Sequence, residues 1–185
     1  MNRALLALIA ALALTVPQLG AANAYDDYKK LTPDERRLAL RYFWQLPGVK
    51  RASDFAVAEA ARRFGQYSGQ DDPRDAFRHG TWNGGMVRRL KSARAAERWG
   101  NAHEEWAGNP ASRKLMDLTN NQTGRDMVWS ARTRTGPWWW RKTVFPGDAQ
   151  IADAVEQAVL GGRLVMVEEV GGARDPHAGA LVPTR

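Results

Sequence analysis

Apolar residues recur at helical rather than strand spacing along most of this chain. Thr32-Pro33-Asp34-Glu35 opens the first such stretch. Thr32 can cap, Pro33 suits the first helical position, and Glu35 closes a capping box. Leu38, Tyr42 and Leu46 then share a face, and Pro47-Gly48 predicts the stop. A second helix is expected from Ser53-Asp54, with Phe55, Ala58, Ala61 and Arg62 in helical spacing, ending at Gly65 or Gly69.

The third stretch is the densest. Asp72 is placed as an N-cap, Pro73 as the first helical residue and Asp75 as the third-position carboxylate, with the helix running to Leu90 or Lys91. At 3.6-residue periodicity Asp75, His79, Trp82, Asn83 and Met86 fall on one stripe. Capping alone gives Asp75 a sufficient reason to be there. Gly80, Gly84 and Gly85 lie inside the same helix, each costing about 1 kcal/mol relative to alanine. A helix that accepts them is expected to let another backbone come close.

Ser92 caps the next expected helix, which runs to about Trp106 and turns His103 toward the side of Trp99 and Trp106. Asn109-Pro110 starts a further one, on which Asp117, Asn120, Asn121 and Gly124 form a polar stripe. Asp and Asn in mid-helix compete with the backbone, so a tertiary demand is expected to hold them there. Gly136-Pro137 breaks the pattern before Trp138-Trp139-Trp140-Arg141-Lys142. That loop is expected to fold back and close the core; a membrane interface, sugar platform or nucleic-acid stack is the alternative. Asp148 to Leu160 is the last expected helix, and Arg163 to Val170 a short strand or extended arm. Residues 171–185, rich in Gly, Ala and Pro, read as a flexible tail. The fold class is therefore all-α: a compact domain of about five to six helices over residues 25–170, with a short extended C-terminal arm.

Composition adds a location. Residues 1–24 read as a cleaved signal peptide: a positive Met1-Asn2-Arg3, an apolar run from Ala4 to Val16, and Ala22-Asn23-Ala24 as the cleavage site. The apolar run is short of the roughly 20 residues of a membrane span, and no later segment is apolar enough, so no transmembrane segment is expected after cleavage. The chain has 185 residues and no cysteine, so an exported fold must be held by packing alone. This suits a bacterial periplasmic or secreted protein. The net charge of +7, carried mostly by arginine, favours anionic partners such as envelope lipid or wall polymer. No specific nucleic acid is inferred.

Several chemistries are excluded. The chain lacks a P-loop, a nucleophile elbow and a cysteine nucleophile. His103-Glu104 resembles the front of a zincin helix, but Ala107 stands where the second histidine belongs. What remains is a convergence of three helices. His79, His103, Asp117 and Asp75 are the candidate catalytic residues; Arg78, Asn83, Glu104, Asn120, Asn121 and Arg125 are candidates for substrate binding. Either His79, His103 and a carboxylate, Asp117 or else Glu104, hold a divalent metal with a position open to water, or His79 acts as a general base beside an anion-binding arginine. A purely structural polar network is the third possibility.

The pattern D-A-F-R-H-x-x-W-N, then H-E, then M-D-x-x-N-N-x-x-G-R stands here as Asp75 to Asn83, His103-Glu104 and Met116 to Arg125. It resembles a domain family of unknown function found in bacterial secreted and toxin-like proteins, over roughly residues 70–130. That resemblance groups these residues without naming a reaction. A fainter similarity is to prokaryotic secreted phospholipases A2, which carry an R-H-D stretch; here Gly80 replaces that aspartate and the disulfide cysteines are missing. The expectation is an exported hydrolase acting on a cell-envelope component, lipid or wall polymer. The alternative is a non-catalytic binding module for an anionic envelope polymer or membrane surface.

Overall fold

The computed structural model describes residues 29–185; the expected leader, residues 1–24, lies outside them. Among the described residues the fold is mostly α: α1 (Pro33–Arg41), a 3-10 turn (Phe43–Gln45), α2 (Leu46–Arg63), α3 (Pro73–Leu90), α4 (Ala93–His103), α5 (Ala111–Ser130) and α6 (Asp148–Leu160). Short strands follow α5 and α6: β1 (Thr133–Thr135), β2 (Lys142–Val144), β3 (Val165–Val167), β4 (Glu169–Val170), β5 (Ala173–Arg174) and β6 (Leu181–Pro183). No helix among the described residues is long and apolar enough to cross a membrane.

The α1 start has the capping box expected of it: Thr32 Oγ1 accepts from Glu35 N, and Glu35 Oε2 accepts from Thr32 N. Pro47-Gly48 does not stop a helix, however. The stop comes earlier, at Tyr42, and α2 begins at Leu46 with Pro47 in its first turn and runs unbroken to Arg63. A first-turn residue needs no N–H, so proline is at home there.

The α3 helix is the centre of the molecule. Ala76, Phe77, Trp82, Met86 and Val87 are buried on it, and so are its polar residues Asp75, His79, Thr81 and Asn83. Such a helix must be covered on several sides, and α2, α4, α5 and α6 all pack on it. The closest approach is to α5: a Cβ added at Gly124 would lie 2.1 Å from the Gly80 carbonyl oxygen. One at Gly84 would meet Val128 Cγ2 at 2.8 Å. The in-helix glycines thus serve backbone contact, as their energetic cost implied.

The C-terminal segment is held to the helices. β6 pairs antiparallel with β3, Val165 facing Pro183 and Val167 facing Leu181. Thr184 is buried and its hydroxyl donates to Val159 O at 2.6 Å. Pro176 O accepts from Ser112 N and Arg113 N at the start of α5. Residues 171–185, expected as a flexible tail, therefore carry β5 and β6 and dock on α5 and α6.

The loop expected to close the core does the opposite. β1 and β2 form an antiparallel hairpin, Thr133 facing Val144 and Thr135 facing Lys142. Trp138, Trp139 and Trp140 stand at its tip with 79%, 71% and 78% of their surface exposed. Two three-residue strands with no buried position carry the tip away from the helices rather than across them.

Candidate functional site

The site begins at the α3 N-terminus. Asp72 caps the helix, accepting from Asp75 N at 3.0 Å on Oδ1 and from Gly69 N at 2.8 Å on Oδ2. Asp75 divides its two oxygens. Oδ2 accepts from Asp71 N at 2.8 Å, one residue before the Asp72 N–H that a capping box would use, so it still ties down the helix start. Oδ1 pairs with the Arg78 guanidinium and lies 3.6 Å from His79 Nε2. Capping and site membership belong to different atoms of one carboxylate. Asp71 sits at φ +60, unusual for a non-glycine residue, and grips Arg113 through both oxygens at 2.8 and 2.6 Å.

His79 is fully buried, and one chain of amides sets its tautomer. Asn121 Nδ2 donates to Glu104 Oε1 at 3.2 Å, and a carboxylate oxygen can only accept. This turns Asn121 Oδ1 toward His79 Nδ1 at 3.1 Å, so Nδ1 carries the proton and donates. Asn83 Nδ2 donates to the same oxygen, and Arg125 Nη1 donates to Asn83 Oδ1 at 3.0 Å. The Nε2 lone pair therefore faces away from the amides, accepting from Arg78 Nη2 at 2.8 Å with Asp75 and Asp117 beside it.

Around that lone pair the charges do not balance. Nε2 lies 3.2 Å from Asp117 Oδ1, a buried oxygen with no hydrogen-bond donor among the described residues. Asp75, Glu104 and Asp117 are all buried acids here, and Arg78, whose Nη2 reaches Nε2 at 2.8 Å, is the cation among them. Burial, with the charges of Glu104 and Asp75, pushes the Asp117 carboxyl up to about 9. Burial also raises Glu104. Burial, then the charges of Arg78 and His103, hold His79 well below its usual range, so the imidazole is neutral. One ligand atom from each of Asp75, His79 and Asp117 lies within 4.8 Å of the other two. With metal–ligand bonds of roughly 2.1 Å, neighbouring ligand atoms stand about 3.0–3.4 Å apart; His79 Nε2 lies 3.2 Å from Asp117 Oδ1 and 3.6 Å from Asp75 Oδ1.

These three side chains open onto a cleft of about 420 Å³, walled also by Arg78, His103, Glu104, Trp106 and Arg113. His103 is at the cleft but not in the trio. Its Nδ1 lies 2.9 Å from Glu35 Oε1, its ring packs edge-on against Trp82, and its centroid is 6.4 Å from that of His79. Of His79, His103 and Asp117, the trio expected from sequence, the fold brings His79 and Asp117 together and sets Asp75 rather than His103 beside them. Asp75 is one helical turn from His79, on the same face.

The candidate binding residues separate into two groups. Arg78 and Glu104 wall the cleft, whereas Asn83, Asn121 and Arg125 form the buried amide chain behind it. Asn120 faces elsewhere: its Nδ2 donates to Val165 O at 2.8 Å and its Oδ1 accepts from Val165 N at 2.9 Å. It completes the open edge of β3 as a strand would. Sequence reading missed Arg113 as a wall of the cleft and Glu35 as the partner of His103. Glu35 was visible only as a cap, because its second oxygen meets His103 across 68 positions; nothing local marks Arg113.

A family model described as a domain of unknown function (DUF6973) matches residues 36–157, well over half of the chain. No curated protein and no solved structure matches.

Proposed function

We propose that this chain, which belongs to the DUF6973 family, is an exported hydrolase acting on an anionic cell-envelope component, with a divalent cation held by Asp75, His79 and Asp117. The observation that carries the reading is the His79 Nε2 lone pair facing the donorless Asp117 Oδ1 at 3.2 Å, with Asp75 Oδ1 at 3.6 Å. The contact is filled either by a proton on Asp117 or by a cation, which would take the place of the Arg78 Nη2 donor 2.8 Å from Nε2. Among three buried acids with one neutral imidazole and one arginine, Asp117 is held protonated, and a cation can replace that proton. An N,O,O donor set suits a borderline cation such as Zn²⁺ or Mn²⁺.

Such a cation supplies Lewis acidity and acidifies a bound water. The chain's own groups do the rest. The amide chain from Arg125 through Asn83 to Asn121 keeps the proton on Nδ1 and so leaves Nε2 an acceptor, which Arg78 Nη2 meets at 2.8 Å and which a cation would take over. Glu104, raised toward neutrality by burial, faces the same cleft and is placed to take a proton from an attacking water. Arg78 and Arg113 set positive charge at the walls, suited to a phosphate or carboxylate group of the substrate. Export rests on residues 1–24 and on the absence of cysteine.

The test is elemental analysis of the purified chain, followed by hydrolysis assays on phospholipid and wall-polymer substrates. The parent is expected to hold about one divalent ion per chain, and His79→Gln and Asp117→Asn to hold none. Hydrolysis is expected to fall at least about a hundredfold in both variants. A metal-free parent whose hydrolysis survives chelators and both substitutions would sink the reading.

A further inference from the structure

The hairpin tip is the largest feature that the site leaves unexplained. Trp138, Trp139 and Trp140 expose most of their surface on one short turn. Exposing that much aromatic area to water is costly unless a partner covers it. The tip is held in shape: Trp140 N donates to Pro137 O at 2.9 Å, and Gly136 at φ +96 lets Trp140 O pass where a Cβ would come within 2.6 Å. The three rings are therefore presented rather than merely loose.

Its charge is one-sided. No acidic residue occurs between Asp126 and Asp148, while Arg132, Arg134, Arg141 and Lys142 do. Arg132 lies over the Trp129 ring at 3.9 Å; Arg134, Arg141 and Lys142 make no ion pair with an acid among the described residues. Aromatic rings at the apex with cations immediately behind them match the layering of an anionic bilayer surface, where indole sits at the headgroup level and Lys or Arg meets phosphate. A stacking platform for bases fits less well. The Trp138 and Trp139 rings are 88° apart, edge to face, so they offer no run of parallel faces.

We propose that the β1–β2 hairpin docks the protein on anionic phospholipid, Trp138 to Trp140 entering the interface and Arg134, Arg141 and Lys142 pairing with headgroup phosphates. The hairpin follows the far end of α5 from Asp117, about 20 Å along the helix at 1.5 Å per residue. Docking is thus separate from the metal-site side chains.

The full chain is sedimented with phosphatidylcholine vesicles and with vesicles also containing phosphatidylglycerol. The apolar run at residues 4–16 is common to every variant, so comparison isolates the hairpin. The parent is expected to bind the anionic vesicles with strong salt dependence. R141Q/K142Q is expected to bind about thirtyfold more weakly. W138A/W139A/W140A is expected to lose at least about tenfold on the same vesicles. W139S alone serves should the triple variant fold poorly, with melting temperature as the check. A bimane attached at Thr135→Cys, the chain's sole thiol, is expected to shift blue on anionic vesicles. Unchanged sedimentation of the tryptophan variants, or a bimane that does not shift, overturns the proposal. So does a parent that ignores vesicles yet uses the same tryptophans to bind heparin or an oligonucleotide, or to pair with a second copy in analytical ultracentrifugation.

Discussion

His79 Nε2 stands 3.2 Å from Asp117 Oδ1, and the imidazole's one proton is already committed to Asn121 on the other side of the ring. The contact therefore joins two acceptors unless something positive lies between them. Asp117 can supply a proton itself, since burial and its acidic neighbours push its carboxyl up to about 9. A divalent cation can replace that proton. The two fillings differ in how they respond to pH.

Cation binding should therefore expel the Asp117 proton. At neutral pH uptake is expected to release about one proton, with affinity rising between about pH 6 and 9 and levelling above. Calorimetry in two buffers of different ionisation enthalpy measures the release. The metal-free chain gives the complementary check. Its folded Asp117 pKa lies above the unfolded value, so the stability contributed is present below about pH 4 and is lost as pH rises toward 9. Asp117→Asn is expected to flatten that loss and to remove the proton release together. Release of no protons by the parent would count against a cation at this site.

His103 and Glu35 make a second pH-dependent pair. Burial opposes the charged ring, but the hydrogen bond and charge of Glu35, helped by Glu104, raise His103 above its usual value; Arg78 opposes them. A raised folded pKa places the contribution below about pH 6.5, and it disappears as pH rises through the folded value. The His103 side chain is 41% exposed, so the effect is expected to be under about 1 kcal/mol. Thermal melts of His103→Gln and the parent should differ most near pH 6 and converge in mildly alkaline buffer. A gap that widens with pH would reverse the assignment.

The Gly80–Gly124 contact tests how tightly the site is framed. A methyl group at Gly124 would need the space of the Gly80 carbonyl, and that carbonyl belongs to α3 itself. Gly124→Ala is expected to cost about 3 kcal/mol or more, lowering the melting temperature by roughly 6–12 °C, because two backbones must separate. Metal retention should fall with it, since α3 carries Asp75 and His79 while α5 carries Asp117. A melt within a degree or two of the parent's would show that the helices can part freely.

Much of this frame was legible in the sequence because helix periodicity and capping are local. Thr32, Asp72 and Ser92 cap as their spacing implies, and the in-helix glycines do meet backbone. What the sequence hid depends on distant partners. Pro47 looked like a stop because it was not evident that Leu46 begins a new helix. His103 looked like a ligand because Glu35 reaches it only in the folded chain. The three tryptophans looked like core because nothing local says that both strands of their hairpin stay exposed. Asp75 was read as cap or site, and the fold gives one oxygen to each.

Asn120 and Asn121 are adjacent on α5 and looked equivalent, yet they point to opposite tasks. Asn120 spends both ends of its amide on the Val165 backbone, so Asn120→Ala leaves a half-buried N–H and C=O without partners. That is expected to cost about 2–3 kcal/mol of stability while leaving cation affinity within about twofold of the parent. Asn121 instead holds the proton on His79 Nδ1 and anchors Glu104. Asn121→Ala frees the imidazole to take the other tautomer, with its proton on Nε2 where a cation would bind. Cation affinity is then expected to drop by about 10–100-fold, the usual cost of losing the partner that orients a metal-binding histidine. Melting curves and a competitive metal titration on both variants decide the matter. If the two substitutions weaken cation binding equally, Asn121 acts through packing rather than through the His79 tautomer, and the amide chain is only scaffold.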